Sequence, residues 1–482
     1  MKMKLTAIAL TLSLLGCTTV PASISTASST TEANTSGKRR AVAHRPPFIE
    51  DLQRRTFDWF RDTTNVQNGL VPDRWPTPSF SSVAAVGFGL AAWGIGAERG
   101  YITRKEAAER TLTTLRFFHD APQGPAARGM TGYEGFFYHF LDMHSGERFE
   151  TVELSTIDTT LFLAGALFSQ SYFDRDDPIE TEIRELVEKI YLRVNWQAAM
   201  TKPPLVSMGF KPEEGWGTEW HWRGYDEAMI VYILALASPT HPVPANAWEE
   251  WAKTYRWMSY YGYEHVNFAP LFGHQFSHAF IDFRGIQDAY MREKGIDYFE
   301  NSRRATLAQR AYAIENPNGW EAYGENVWGL SASDGPIDAE LEFGGKKRTF
   351  LSYSARGAAA TEVRDDGTIT PYAAGSSIVF TPQESIAALE EMHRRFGSYI
   401  YTKYGFLDSF NPSFRFDVKL LHGKVHPEFG WVDGDYLGIS QGPMLMMLEN
   451  HHSELIWKTM KKNPHIIRGL KRAGFTGGWL EQ

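Results

Sequence analysis

Ser81-Ser-Val-Ala-Ala-Val-Gly-Phe-Gly-Leu-Ala-Ala-Trp-Gly-Ile-Gly-Ala-Glu-Arg99 decides the fold. No charge interrupts this stretch before Glu98, and its apolar residues point in every direction around a 3.6-residue helix. Such a helix has to be enclosed by protein on all sides. The following helical stretch, 105–118, carries charges along one side and reads as a covering helix with a single buried face. The same order recurs along the chain. Stretch 156–168 is nearly all apolar and is followed by 179–193, charged on one side. Stretch 226–236 is apolar around its circumference after an acidic start, and the mixed stretch 245–258 follows it. An amphipathic helix is expected at 49–60, and others at 274–292, 298–313, 383–396, 441–449 and 453–460.

Alternation of enclosed and covering helices predicts an all-α fold, an (α/α)6 toroid. An irregular helical bundle is the simpler alternative, because no sequence repeat of fixed period accompanies the alternation. Gly87-Phe-Gly89 lies inside a helical pattern and reads as close helix packing rather than a phosphate loop. One stretch departs from the helical pattern. At 346–372, Arg348-Thr-Phe-Leu-Ser-Tyr353 and Gly367-Thr-Ile-Thr-Pro371 read as a small β-hairpin insertion.

Ahead of the helical region, Lys2 and Lys4 precede an apolar stretch, 5–15, that is too short to span a membrane. It ends in Leu14-Leu15-Gly16-Cys17, a bacterial lipobox, and Cys17 is the only cysteine of the chain. Residues 1–17 are therefore expected to be a lipoprotein signal peptide, with Cys17 the lipidated residue. Thr18 rather than Asp after the cysteine points to the outer membrane, on its periplasmic side. Residues 18–46, rich in Ser and Thr, form a tether with too few apolar residues to fold, and 47–482 is read as one folded domain. Contact with a membrane is expected through the lipid alone, and the domain is expected to be a monomer.

The 482 residues carry a net charge of −8 with signs interspersed, and no basic run or face marks a nucleic-acid binder. The 15 Trp, 21 Tyr and 31 Phe are a heavy aromatic load. Most must be core, but Trp and Tyr set among Gly, Asp and Glu also suit a cleft where rings stack on sugars. Neither a Walker loop nor a GxSxG elbow occurs. Paired carboxylates are what remains, and two of them flanking an acetal hydrolyse a glycosidic bond.

Polar residues just ahead of an enclosed helix are the candidates. In Glu153-Leu-Ser-Thr-Ile-Asp158, Ser155 and Asp158 have the spacing of a capping box, while Glu153 has no such role. In Trp216-Gly-Thr-Glu219-Trp220-His-Trp222-Arg-Gly-Tyr225-Asp226-Glu227, acids in a first turn complement the helix dipole. The surrounding rings would also desolvate a carboxyl and raise its pKa, as a general acid needs. His274, His278 and Asp282 are spaced by four and share one helix face. Contacts to substrate hydroxyls, core hydrogen bonding and a metal all remain open there, although Gln275 stands where a zincin needs Glu. Trp320-Glu-Ala-Tyr-Gly-Glu-Asn-Val-Trp328, with 331–334 beyond it, suits a loop beside a sugar. Asp433-Gly-Asp435 resembles part of a calcium loop without the EF-hand spacing, and Pro443 fits the first turn of a helix.

Gly69-Leu-Val-Pro-Asp-Arg-Trp75, Ser82-Val-Ala-Ala-Val-Gly-Phe-Gly89, Gly135-Phe-Phe-Tyr-His-Phe-Leu-Asp142, Glu153-Leu-Ser-Thr-Ile-Asp158 and Leu437-Gly-Ile-Ser-Gln-Gly-Pro443 together resemble the glucoamylase-like family. Its characterised members are endo-β-1,2-glucanases of glycoside hydrolase family 144, related to domains of cyclic β-1,2-glucan synthases. The resemblance runs over nearly all of 48–465. It implies the (α/α)6 fold, no cofactor or metal, and inverting hydrolysis of β-1,2-glucan to short oligosaccharides. Sophorose release from chain ends, glycosyl transfer and non-catalytic glycan binding are the alternatives. Carried over to matching positions, the catalytic candidates are Asp142, Glu153, Asp158 and Glu227. Glu227 or Glu153 would be the acid, and Asp142 or Asp158 would activate water. Trp216, Trp220, Tyr225, His274, His278, Arg284, Trp328 and Gln441 are the expected sugar contacts.

Overall fold

Residues 46–481 are described by a computed structural model. The residues read above as a signal peptide and nearly all of those read as a tether, Cys17 included, lie outside the described residues.

Helices dominate, and burial follows their apolar pattern. In the helix Val83–Glu98 every residue from Val83 to Gly96 is buried. In Thr156–Tyr172 the same holds from Asp158 to Ser169, and Met229–Ala237 is buried throughout. Gly438–His452 is enclosed over most of its length. The covering helices Pro47–Thr63, Arg104–Asp120, Pro178–Leu192, Tyr298–Glu315 and Pro382–Ile400 each bury one face. Val83–Glu98 packs against both Thr156–Tyr172 and Gly438–His452, while Arg104–Asp120 lies along Pro178–Leu192. Glycine makes the first of these contacts possible. A Cβ on Gly165 would sit 2.0 Å from the Gly87 carbonyl oxygen, and one on Gly87 would sit 2.3 Å from that of Leu161. The Gly87-Phe-Gly89 pattern is thus the close packing its helical context suggested.

Strands are more widespread than the sequence pattern foresaw. They form small antiparallel ladders, mostly of two or three residues, too short for an alternating pattern to register. The widest joins Gly132–Tyr133, Phe136–Tyr138, Leu154–Ser155, Gly209–Lys211 and Gly215–Trp216. Within 346–372 the pairing differs from the expected hairpin. Lys346–Phe350 pairs backward with Ala339–Phe343, and Gly357–Ala359 pairs with Glu362–Arg364. The stretch 367–371 instead leads into the helix Pro371–Gly375.

Three helical expectations are also corrected. The stretch 274–292 splits into Phe276–Phe280 and Ala289–Lys294. Asp282 caps the chain after the first of these, accepting from Arg284 N, and Gly285 turns it with φ 73°. The stretch 245–258 yields only Ala247–Ala252, because Trp257–Tyr260 pairs with Tyr263–Val266. Pro443 lies inside Gly438–His452, beyond its first turn. A last helix, Pro464–Arg472, went unread in the sequence; Asn463 caps it, accepting from His465 N and Ile466 N.

The short ladders decide where function can sit. Ser81–Ser82, Leu154–Ser155 and Tyr436–Leu437 each run directly into an enclosed helix. They pair respectively with Phe140–Leu141, with Phe136–Tyr138 and with Arg74–Trp75. Segments distant in sequence are thereby stitched together around the N-terminal ends of the enclosed helices.

Candidate active site

His139 lies between the strands Phe136–Tyr138 and Phe140–Leu141, and its main chain is pinned on both sides. Its N–H donates to the Glu153 carbonyl at 2.9 Å, and its carbonyl accepts from Val83 N at 3.2 Å. The ring then reaches two carboxylates. Nδ1 is 2.8 Å from Glu153 Oε1, and Nε2 is 3.5 Å from Asp158 Oδ1. Burial alone would lower the imidazole pKa, but the charges of Asp158 and Glu153 outweigh it and push it up to about 9. His139 is therefore a cation at neutral pH.

The two carboxylates respond differently. Burial pushes Glu153 upward, yet the His139 charge and hydrogen bond bring it below its ordinary value. Its side chain is 37% exposed, within reach of a ligand. Asp158 is buried, and burial keeps it above its ordinary value despite His139 and Ser155. Ser155 Oγ donates to Asp158 Oδ2 at 2.5 Å and accepts from Asp158 N at 3.2 Å. Ser155 thus caps the helix as its spacing suggested, while the Asp158 carboxylate takes the Ser155 hydroxyl and turns toward His139.

Glu227 stands just before the enclosed helix Met229–Ala237. Burial, with the Asp158 charge adding to it, pushes its carboxyl up to about 7. It stays half-buried rather than enclosed. The adjacent Asp226 is buried, accepts from Ala228 N at 2.9 Å and is held well above its ordinary value by burial and by Glu227. Asp226 closes the turn, and Glu227 is the member of the pair that a ligand can reach.

Beside this group is a second one around Arg74. Its Nη1 is 2.6 Å from Asp334 Oδ2 and 3.2 Å from His422 Nδ1, and its Nε is 3.5 Å from Asp73 Oδ2. Asp435 Oδ2 lies 3.9 Å from Nη1. Asp408 accepts from Ser440 Oγ at 2.6 Å and from Asp334 N at 2.9 Å; burial and the Asp334 charge push it up to about 7. Burial pushes Asp73 to about 6 despite Arg74. Asp433 is held well above its ordinary value by burial and three neighbouring carboxylates. One guanidinium does not offset so many buried acids, so Asp73, Asp408 and Asp433 are all shifted toward their protonated forms, and the group offers both donors and acceptors to a hydroxyl-rich ligand.

Other sequence candidates are placed elsewhere. Trp216 is half-buried against Phe136 and Phe210, and Trp220 is 41% exposed, so both keep accessible faces ahead of Glu227. Tyr225, His274, His278, Trp328 and Gln441 are core residues. His274 Nε2 bonds the Phe268 carbonyl at 3.1 Å and His278 Nε2 bonds Ser302 Oγ at 3.1 Å. Burial depresses both imidazoles, which stay neutral. Tyr225 OH is 3.3 Å from Ser302 Oγ, and Gln441 Nε2 donates to the Phe406 carbonyl at 3.2 Å. Arg284 follows the C-terminal end of its enclosed helix, paired with Asp282 and Glu454 and stacked 4.4 Å over Trp457. Asp142 is a turn residue whose Oδ1 accepts from His144 N and Ser145 N at 2.9 and 2.8 Å. The site thus brings together Glu153, Asp158 and Glu227. It adds Asp73, Arg74, His139, Asp334 and Asp408, which the sequence reading had not assigned. His139 did leave a signal as the one imidazole in the otherwise aromatic and aliphatic run 136–141.

Glu153 and Glu227 each interact electrostatically with Asp158, and their carboxyls are shifted in opposite directions, Glu153 below its ordinary value and Glu227 up to about 7. That is the condition for acid–base cleavage of an acetal.

The chain is similar to several known proteins. The chain is 26% identical over 462 residues to the exo β-1,2-glucooligosaccharide sophorohydrolase (non-reducing end) of Parabacteroides distasonis, covering 88% of this chain and 57% of that protein. It therefore spans little more than half the length of that curated relative. Among solved structures, an endo-β-1,2-glucanase from Chitinophaga pinensis, in complex with sophorotriose and glucose, superposes with a TM-score of 0.75. It is 27% identical and covers 90% of this chain and 98% of that one. A β-1,2-glucanase from Parabacteroides distasonis gives a TM-score of 0.75 at 25% identity, over 88% of this chain and 59% of that one. The family model Glycoamylase, described as "Putative glucoamylase", matches residues 219–464, just over half of the sequence. The chain belongs to this glucoamylase-like family.

Proposed function

We propose that the chain is a glycoside hydrolase that cleaves β-1,2-glucan, with inversion, in an (α/α)6 toroid built from its enclosed and covering helices. One observation carries the reading: the His139 ring joins Glu153 at 2.8 Å to Asp158 at 3.5 Å, and Glu227 feels the Asp158 charge, so that Glu153 is held below its ordinary value while Glu227 is pushed up to about 7. Glu227 donates its proton to the glycosidic oxygen as the bond to the anomeric carbon breaks. Glu153 takes a proton from the water whose oxygen forms the new bond to that carbon. Trp216 and Trp220 offer rings for sugar stacking, and the acids around Arg74 offer partners for hydroxyls. The linkage follows the names of the relatives. The near-complete match to the Chitinophaga enzyme favours internal cutting over release of sophorose from chain ends. The test is reducing-end release from linear β-1,2-glucan by wild type, Glu227→Gln and Glu153→Gln. Both variants should lose most activity while keeping the wild-type melting profile. Full activity in either would remove that residue from its role.

From the lipobox ending in Cys17 we also propose that the protein is periplasmic and anchored to the outer membrane by lipid on that cysteine. Cys17→Ala should move it from the membrane to the soluble fraction. Membrane retention of that variant in lipidated form would contradict the anchor.

A further inference from the structure

We propose that His139 is a positioning residue of the reaction: its ring, bridging Glu153 and Asp158, aims the Glu153 carboxylate at the attacking water and keeps it able to accept a proton. This inference rests on the hydrolase reading above and deepens it.

The geometry is that of a built bridge. Both ring nitrogens face carboxylates, Nδ1 toward Glu153 and Nε2 toward Asp158. The ring plane is set by stacking on Phe140, at 4.0 Å between centroids and 27° between planes. The main chain of His139 is bonded to Glu153 and Val83, so donor and acceptor hang from the same ladder. A glutamate side chain has three rotatable bonds. The His139 contact holds Oε1 and leaves Oε2 as the oxygen for a water. A histidine serving only to fill the core would be enclosed and neutral, as His278 is; the His139 side chain is 32% exposed.

Electrostatics point the same way. The charged groups facing the ring are Glu153, Asp158 and Asp73. Asp158 in turn acts on Glu227, Arg74 and Asp334 act on Asp73, and Lys211 acts weakly on Glu153. Without the imidazolium, three acids would share this space with only the weak influence of Lys211 and with Arg74, which is already paired to Asp334. Glu153 would then hold its proton to higher pH and serve as a base only above that pH.

The test is His139→Gln, which keeps an N–H donor but removes the charge. The expected result is an acidic limb of kcat/KM displaced upward by about one pH unit or more, the size associated with loss of an opposite charge at this range. At the wild-type optimum kcat should fall on the order of 10²-fold, the cost of a slightly misplaced reacting group, with KM nearly unchanged. An unmoved acidic limb with near-wild-type kcat would overturn the inference. If wild type itself cuts no glucan, the hydrolase reading fails instead, and the two failures are distinguishable. Should His139→Gln not fold, imidazole NMR titration of the full chain decides. One histidine should stay charged up to about pH 9, and its midpoint should drop by about one unit in Glu153→Gln. If no imidazole titrates above the ordinary value of about 6.5, His139 does not play this part.

Discussion

Arg356→Leu should be among the most damaging single changes in the protein. The guanidinium and its partner Asp366 are both wholly buried, joined at 2.7 and 2.8 Å. The same side chain donates to the carbonyls of Ser333, Leu351 and Ser352 at 2.9, 2.8 and 3.1 Å. Removing one partner of a buried pair leaves the other charge without compensation, a loss of about 3–5 kcal/mol. Burial alone would raise the Asp366 carboxyl, but the Arg356 charge holds it below its ordinary value. The stability from this pair is therefore fully present above about pH 4 and is lost as pH falls through the lower folded-state value. Urea unfolding at neutral pH measures the loss directly. Adding Asp366→Leu to Arg356→Leu should recover part of it, since the stranded charge is gone. The effect also reaches the site, because the 333–334 segment held by Arg356 presents Asp334 to Arg74. A single variant within about 1 kcal/mol of wild type, or a double variant less stable than the single, would refute this reasoning.

Three further outcomes are expected. Activity on glucan should decline as pH climbs through about 7, where Glu227 loses the proton it must donate; Glu227→Gln should cost about 10²–10⁴ in rate and abolish that limb, and a pH-independent wild type would contradict the assignment. Gly165→Ala must push two helices apart, because its Cβ would lie 2.0 Å from the Gly87 carbonyl oxygen; thermal unfolding should show a loss of at least about 1–3 kcal/mol, and an unchanged melt would show the contact to be looser. His278→Gln should lower stability and leave KM for glucan alone, whereas a raised KM at unchanged stability would return His278 to the cleft.

Much of the fold could be read from residue pattern alone. Val83–Glu98, Thr156–Tyr172 and Met229–Ala237 have no polar face, and enclosure is the one environment that tolerates this. The ladders escaped notice because two-residue strands such as Ser81–Ser82 have no period to detect. Glu153, Asp158 and Glu227 were legible because each directly precedes or opens an enclosed helix. The His274–His278 spacing misled for a definite reason: a four-residue interval identifies a shared face, but not whether that face meets solvent or the rings of Tyr225, Phe283 and Phe380. Arg74 and Asp334 are 260 residues apart and meet at 2.6 Å only through tertiary pairing that no local pattern encodes.

Incubation of the purified protein with linear β-1,2-glucan, following reducing ends and product sizes, tests the central claim most directly. The account predicts short β-1,2-gluco-oligosaccharides from wild type, in a ladder spread over several lengths, and none from Glu227→Gln. Cleavage of β-1,3-, β-1,4- or α-glucans with β-1,2-glucan left intact would contradict it.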